Sequence, residues 1–145
     1  MTVLKTISGL SDGAMEIGGV CGWWSTREIM AHLASYELVL TDVLAGLLGG
    51  GDNLYLQAFL GERFNDDQVA RRKHQSTAAV VDEYTTAHER NMALVAQIPA
   101  ETARLTGTLP WYGAEYALDD FIVYTFYGHK REHSAQIAVF RDRSG

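Results

Sequence analysis

The sequence predicts an all-α fold, a four-helix bundle whose first helix is unusually short. Three observations lead there. Strand-type alternation of apolar and polar residues is nearly absent. Long segments instead repeat apolar residues at steps of three and four, the period of a helix with one buried face. Only two prolines, Pro99 and Pro110, interrupt the chain. The length, 145 residues, suits one domain with a real core, so a single domain over 1–145 is expected.

Residues 2–10 supply the short first helix. The second helix opens in "WSTREIMAHLASYELVLTDVLAGLLGG". Ser25 and Glu28 have the spacing of a capping box, and Trp24 can staple onto Ile29 across it. The apolar face runs Ile29, His32, Leu33, Tyr36, Leu40, Val43, Leu47, and Gly49, Gly50 and Gly51 stop the helix near residue 48. "FNDDQVARRKH" reads as a short separate helix with Asn65 and Gln68 as a second capping box. A third long segment, 76–98, carries the face Val81, Tyr84, His88, Met92, Val95, Ile98 and ends at Pro99. The last helix spans about 115–141 with the face Leu118, Ile122, Phe126, His129, His133, Ile137, Phe140. The connection 49–75 is long enough to be a crossover between the second and third bundle helices.

Composition narrows the function classes. Apolar residues make up 47% and charged residues 21%, an ordinary globular balance. The net charge of −6 argues against binding nucleic acid or an anionic membrane by general electrostatics. No uninterrupted apolar run reaches the roughly 18 residues of a membrane span, and "MTVLKTISGL" lacks the apolar core of a signal peptide. A single cysteine, Cys21, fits a reducing, cytoplasmic setting and reads as a free, partly buried thiol. The glycine run 49–51 lacks the lysine spacing of a phosphate-binding loop.

The chemistry lies in "TFYGHKREHSAQI". His129 and His133, four apart, share one helix face and stand on the apolar stripe. A buried imidazole needs a partner, and one metal ion satisfies two at once. His32 stands on the stripe of the second helix, seven residues past Ser25 and so roughly 10 Å into it. His133 lies eight residues before Arg141, roughly 12 Å from that helix's end. If the two helices pack antiparallel, His32, His129 and His133 fall at one depth. Three ligands leave a coordination position open, the pattern of a catalytic site.

"HKREH" also matches H-x-x-E-H, with Glu132 as would-be general base. That signature needs a further ligand well downstream, and only 12 residues follow His133. Glu132 lies about 60° off the histidine line; it reads as a flank residue pairing with Lys or Arg, or as a candidate proton carrier beside the metal. His74 sits in the basic run "RRKH" and reads as solvated. His88 reads as a structural or pocket histidine. Trp23, Trp24, Trp111, Tyr112, Tyr116, Tyr124 and Tyr127 cluster around the histidine helices as packing or as the walls of a pocket.

These residues carry a family resemblance. "GWWSTREIMAHLA", with its histidine seven residues after the serine, and the final "GHKREHSAQI" resemble the DinB/YfiT-like superfamily over roughly residues 15–141. The resemblance implies an up-down-down-up four-helix bundle with a divalent metal, usually zinc or nickel, on His32, His129 and His133. Some such proteins are transferases or isomerases that use mycothiol, bacillithiol or glutathione. Relative to that pattern, the first helix begins about 15–20 residues late.

The leading expectation is therefore a metal-dependent, thiol-using transferase or isomerase acting on a small molecule, with the thiol supplied from outside rather than by Cys21. The alternatives are a metallohydrolase that activates water, with Glu132 or a tyrosine moving protons, a non-catalytic protein that binds a metal or small molecule, and a metal-free helical dimer. A homodimer is expected because the short first helix leaves apolar stripes uncovered.

Overall fold

The computed structural model describes residues 3–144, and among them there is no strand, only an isolated bridge between Cys21 and Trp24. In chain order the helices are α1 (Val3–Ile7), α2 (Asp12–Met15), α3 (Thr26–Leu47), α4 (Leu54–Phe59), α5 (Phe64–Arg71), α6 (Thr77–Gln97), α7 (Ala100–Arg104), α8 (Leu118–Phe121) and α9 (Gly128–Ser144), with a π-helical segment Ile122–Tyr127 joining α8 to α9. Thr2, at the start of the expected first helix, lies outside the described residues.

The capping box forms as expected: Ser25 Oγ accepts from the Glu28 N–H at 3.2 Å, and Glu28 Oε1 accepts from the Ser25 N–H at 3.1 Å. The helix ends where Gly49 and Gly51 take φ of 88° and 86°, a conformation a side chain would strain. By length and composition α3 is apolar enough to cross a membrane, which the search for an uninterrupted apolar run missed because a mean hydropathy averages over scattered polar residues. In the fold, 72% of that window is buried, as in a core helix.

Side-chain contacts fix the directions of the long helices. Along α3, Met30, Glu37 and Leu44 share clusters or hydrogen bonds with Val80, His88 and Ile98 in turn, so α3 and α6 run parallel. The segment between them carries α4 and α5. Asp42 Oδ2 fastens α4 to α3 by accepting the N–H groups of Tyr55 at 2.7 Å and Leu56 at 3.0 Å. Arg27 closes the end of α5 by donating to the carbonyls of Arg72, Lys73 and Gln75. Ile29, His32 and Tyr36 of α3 meet Ile137, His133 and Phe126 in reverse order, so α9 is antiparallel to α3. α1 lies along α9 in the same sense: Val3 borders a groove with Lys130, and the Thr6 carbonyl accepts from Arg141 at 3.3 Å.

Several expected details differ. The last helix begins at Leu118 rather than near residue 115. A loop pinned by the Gly107 N–H to the Tyr116 carbonyl (2.9 Å) occupies the preceding stretch, and Asp120 Oδ2 caps the Ala117 N–H at 2.8 Å. The pair Asn65 and Gln68 forms no capping box, because α5 starts two residues earlier, with Arg63 at the cap and no side-chain bond there. Gln68 instead accepts from Arg72 at 2.9 Å. Arg72 is not part of an exposed run but buried, paired to both carboxylate oxygens of Glu83 at 2.6 and 3.1 Å. On α6 the buried face is Val80, Tyr84, Ala87 and Asn91, whereas Met92 and Val95 face outward. Asn91 replaces an apolar neighbour inside because it bonds Glu37 and Thr41 across the interface with α3.

Two apolar clusters make up the core. One gathers Ile29, Met30, Leu33, Tyr84 and Ile137; the other gathers Leu40, Leu44, Phe121 and Phe126. The stretch of α3 between them carries Tyr36 and Glu37, and here the chemistry collects.

Candidate metal centre

His32 comes from the second turn of α3, and His129 and His133 from the first two turns of α9. The three side chains converge as expected from sequence. His129 Nε2 lies 3.1 Å from His32 Nε2 and 2.9 Å from His133 Nε2. The rings of His32 and His133 are 5.3 Å apart. Among the described residues these three form a group whose nitrogens are close enough to hold one metal ion.

The donor set fits a metal. Burial, reinforced by the positive charge that His129 and His133 would carry, pushes the pKa of His32 down to about 3. Burial, then His133, pushes His129 down to about 4. Both are neutral at pH 7, as ligands must be. His133 Nδ1 donates to Gln136 Oε1 at 2.8 Å, which leaves its Nε2 lone pair facing the centre. With that lone pair fixed, no arrangement of ordinary two-centre hydrogen bonds satisfies both close contacts of His129 Nε2. A cation that takes all three lone pairs does. Tetrahedral ligands at the zinc–nitrogen distance stand about 3.3 Å apart, slightly wider than these contacts.

His32 is held differently. Its Nδ1 is buried and has no hydrogen-bond partner among the described residues. The ring is positioned instead by packing between Trp24 at 4.9 Å and Tyr36 at 4.5 Å. Tyr36 also contacts His129 at 4.9 Å. Burial raises its pKa, against a hydrogen bond with Asn65 that lowers it, so the phenol stays protonated at pH 7.

Two openings flank the group and meet at Tyr36. One, of about 350 Å³, is lined by Trp24, Tyr36, Phe59, Arg63, Phe64 and Asn65 among others. The other, of about 300 Å³, is lined by Tyr36, Tyr124, Thr125, Gly128, His129 and Glu132. Glu132 is exposed and has no ion-pair partner among the described residues, so the expected pairing with Lys or Arg does not form. Its carboxylate borders the depression beside His129 instead, because one residue before His133 is off the histidine line.

The other histidines separate cleanly. His74 is exposed, as expected. His88 sits 31% exposed with Nδ1 2.9 Å from Glu37 Oε1. Glu37 itself is fully buried. Burial would raise its pKa, but the bonds from His88, Lys130 and Asn91 outweigh that and hold it below the ordinary value. Cys21 is a half-buried free thiol. Of the aromatic residues, Trp23 is 95% exposed while its neighbour Trp24 packs on His32.

Sequence reasoning did not single out Gln136 or Glu37, and it read Asn65 as a helix cap rather than a partner of Tyr36. Gln136 had a signal, since it stands three residues after His133 on the same face. The partners of the Glu37 carboxylate come from two other helices, α6 and α9, and nothing local links them to it.

The sequence model of the DinB superfamily matches residues 1–137. No curated protein and no solved structure matches the chain. With that match spanning nearly the whole sequence, the chain belongs to the DinB superfamily.

Proposed function

We propose that this chain is a divalent-metal-dependent enzyme of the thiol-using transferase or isomerase type. Zinc or nickel would sit on His32, His129 and His133, and a low-molecular-weight thiol would be the co-substrate. The observation that carries this reading is the meeting of three imidazoles from two helices, one of which, His129, lines an opening to solvent. When bound, the ion would supply Lewis acidity that lowers the pKa of a thiol beside it. The chain's own residues do the rest. Gln136 keeps the His133 lone pair inward, and Trp24 and Tyr36 brace His32. Phe59 and Phe64 give the larger opening apolar walls for a small-molecule substrate, and Glu62, Arg63 and Asp66 give it charged groups of both signs.

One observation favours a second reading, a metallohydrolase: the Glu132 carboxylate borders the depression at His129, where it can accept a proton from water. In both readings the protein acts in the cytoplasm, as a homodimer. The helix directions support an up-down-down-up bundle, with α1 as the short first helix and α4 and α5 in the crossover.

The test uses cobalt-loaded protein. A sulfur-to-metal charge-transfer band on adding glutathione, bacillithiol or mycothiol is expected. Its absence with all three removes the transferase reading and moves the hydrolase forward. Light scattering at micromolar concentration reads the dimer, and a stable monomer would contradict it.

A further inference from the structure

On the far side of α9 from the histidines, α6, α9 and α1 border a groove of about 220 Å³, and a smaller recess of about 60 Å³ adjoins it. The two share His88, Met92, Tyr127 and Lys130. Their walls are apolar: Val3 and Leu4 on one side, Val95 and Ile122 in the recess. Met92 and Tyr127 stand 51% and 52% exposed there.

The polar floor is a built cluster. Glu37 Oε1 accepts from Lys130 Nζ and lies 2.9 Å from His88 Nδ1, while Glu37 Oε2 accepts from Asn91 at 3.0 Å. The Glu37 oxygens are therefore spent on protein donors, and Lys130 and Glu37 cancel in charge. The His88 ring is stacked at 6° on Tyr84, which fixes its plane. With Nδ1 taken, the other ring nitrogen, Nε2, is the one left for a ligand. Arg131 borders the same groove, is exposed, and has no ion-pair partner among the described residues. Among the described lining residues, the formal charges of Glu37, Lys130 and Arg131 thus sum to +1, in a protein whose net charge is −6.

We propose that this groove is a second small-molecule site, separate from the metal centre, for an amphipathic monoanion: a carboxylate on a short apolar chain. The anionic head lies against Arg131 and the His88–Lys130 edge. The tail runs past Met92 and Tyr127 toward Val95 and Ile122. A neutral apolar molecule would leave Arg131 uncompensated, and a dianion would exceed the one cation without an ion-pair partner among the described lining residues. The volume is below the roughly 300 Å³ at which drug-sized pockets begin, which limits the tail to a short one.

The experiment titrates octanoate into full-length protein carrying carbon-13-labelled methionine methyl groups. The Met92 signal should shift and saturate, while those of Met15 and Met30, sealed in the core, should stay. Arg131→Glu, a surface change, should weaken octanoate at least about tenfold, since a charge-assisted contact is lost and a like charge added. Octanol, which lacks the anion, should bind as weakly to the natural protein. His32→Ala should leave the octanoate titration unchanged, which separates this site from a carboxylate held at the metal centre. A Met92 signal that does not move, moves equally in Arg131→Glu, or loses its response in His32→Ala would overturn the proposal.

Discussion

Gln136 accepts a hydrogen bond from Nδ1 of His133 at 2.8 Å, and so decides which nitrogen of that imidazole faces the other two histidines. Gln136→Ala should lower metal affinity about 10–100-fold, the usual effect of losing a partner that orients a ligand. Gln136→Glu keeps an acceptor in place and should bind at least as tightly as the natural protein. Competition against a chelator of known affinity measures both.

Purified protein should carry one divalent ion per chain. Alanine at His32, His129 or His133 should cut occupancy sharply, because two imidazoles make a much weaker site. His74→Ala, on the exposed side, should change nothing. Glu132→Gln should leave most metal bound, since its carboxylate borders the depression and is not one of the three converging groups. Elemental analysis after dialysis reads all five variants.

The metal-free protein should lose stability on mild acidification. His32 and His129 titrate near 3 and 4 in the folded chain, below the ordinary 6.5. Between those values the unfolded chain binds protons that the folded chain refuses, so unfolding becomes easier as pH falls. Their contribution is complete above about pH 6.5 and declines toward pH 4 and below. Urea midpoints at pH 7.5 and pH 5 should differ clearly, and by less in His32→Asn, which has no imidazole to charge. Metal affinity should weaken below about pH 6 for the same reason.

Lys130→Met should destabilise by roughly 3–5 kcal/mol, because it strips the charged partner from a fully buried carboxylate. The double change Glu37→Leu with Lys130→Met should cost less than Lys130→Met alone. Equal losses in the two would mean that the ion pair contributes nothing beyond packing. Denaturant titration at pH 7.5 decides it.

What the sequence made legible was whatever local spacing encodes. Ser25 and Glu28 announced the start of α3, Gly49–Gly51 its end, and the i, i+4 histidines one face of α9. The equal depth of His32 and His133 needed only the rise per residue and an antiparallel pairing. Asn91 was not legible, since its burial depends on Glu37 and Thr41 from another helix, and periodicity favoured its apolar neighbours Met92 and Val95 instead. Asn65 and Gln68 fit a capping pattern, yet the end of Arg72 claimed Gln68. In each miss a side-chain hydrogen bond outweighed the expected pattern, a tertiary one for Asn91 and one within four residues for Gln68.

The wide turn at Ile122–Tyr127 explains why Phe121 and Phe126, five residues apart, both face the core. A helix acquires such a turn when it absorbs one extra residue, and such turns gather near functional sites. Here the surplus residue lies immediately upstream of His129. The helix can therefore give one residue back without turning the histidines: deleting Val123, which is exposed, should close the wide turn into an ordinary one and keep His129 and His133 aimed at His32. The same deletion in α3 between Ser25 and His32 has no slack to draw on and would swing His32 by about 100°. The two halves of the site thus differ in how forgiving they are to a lost codon.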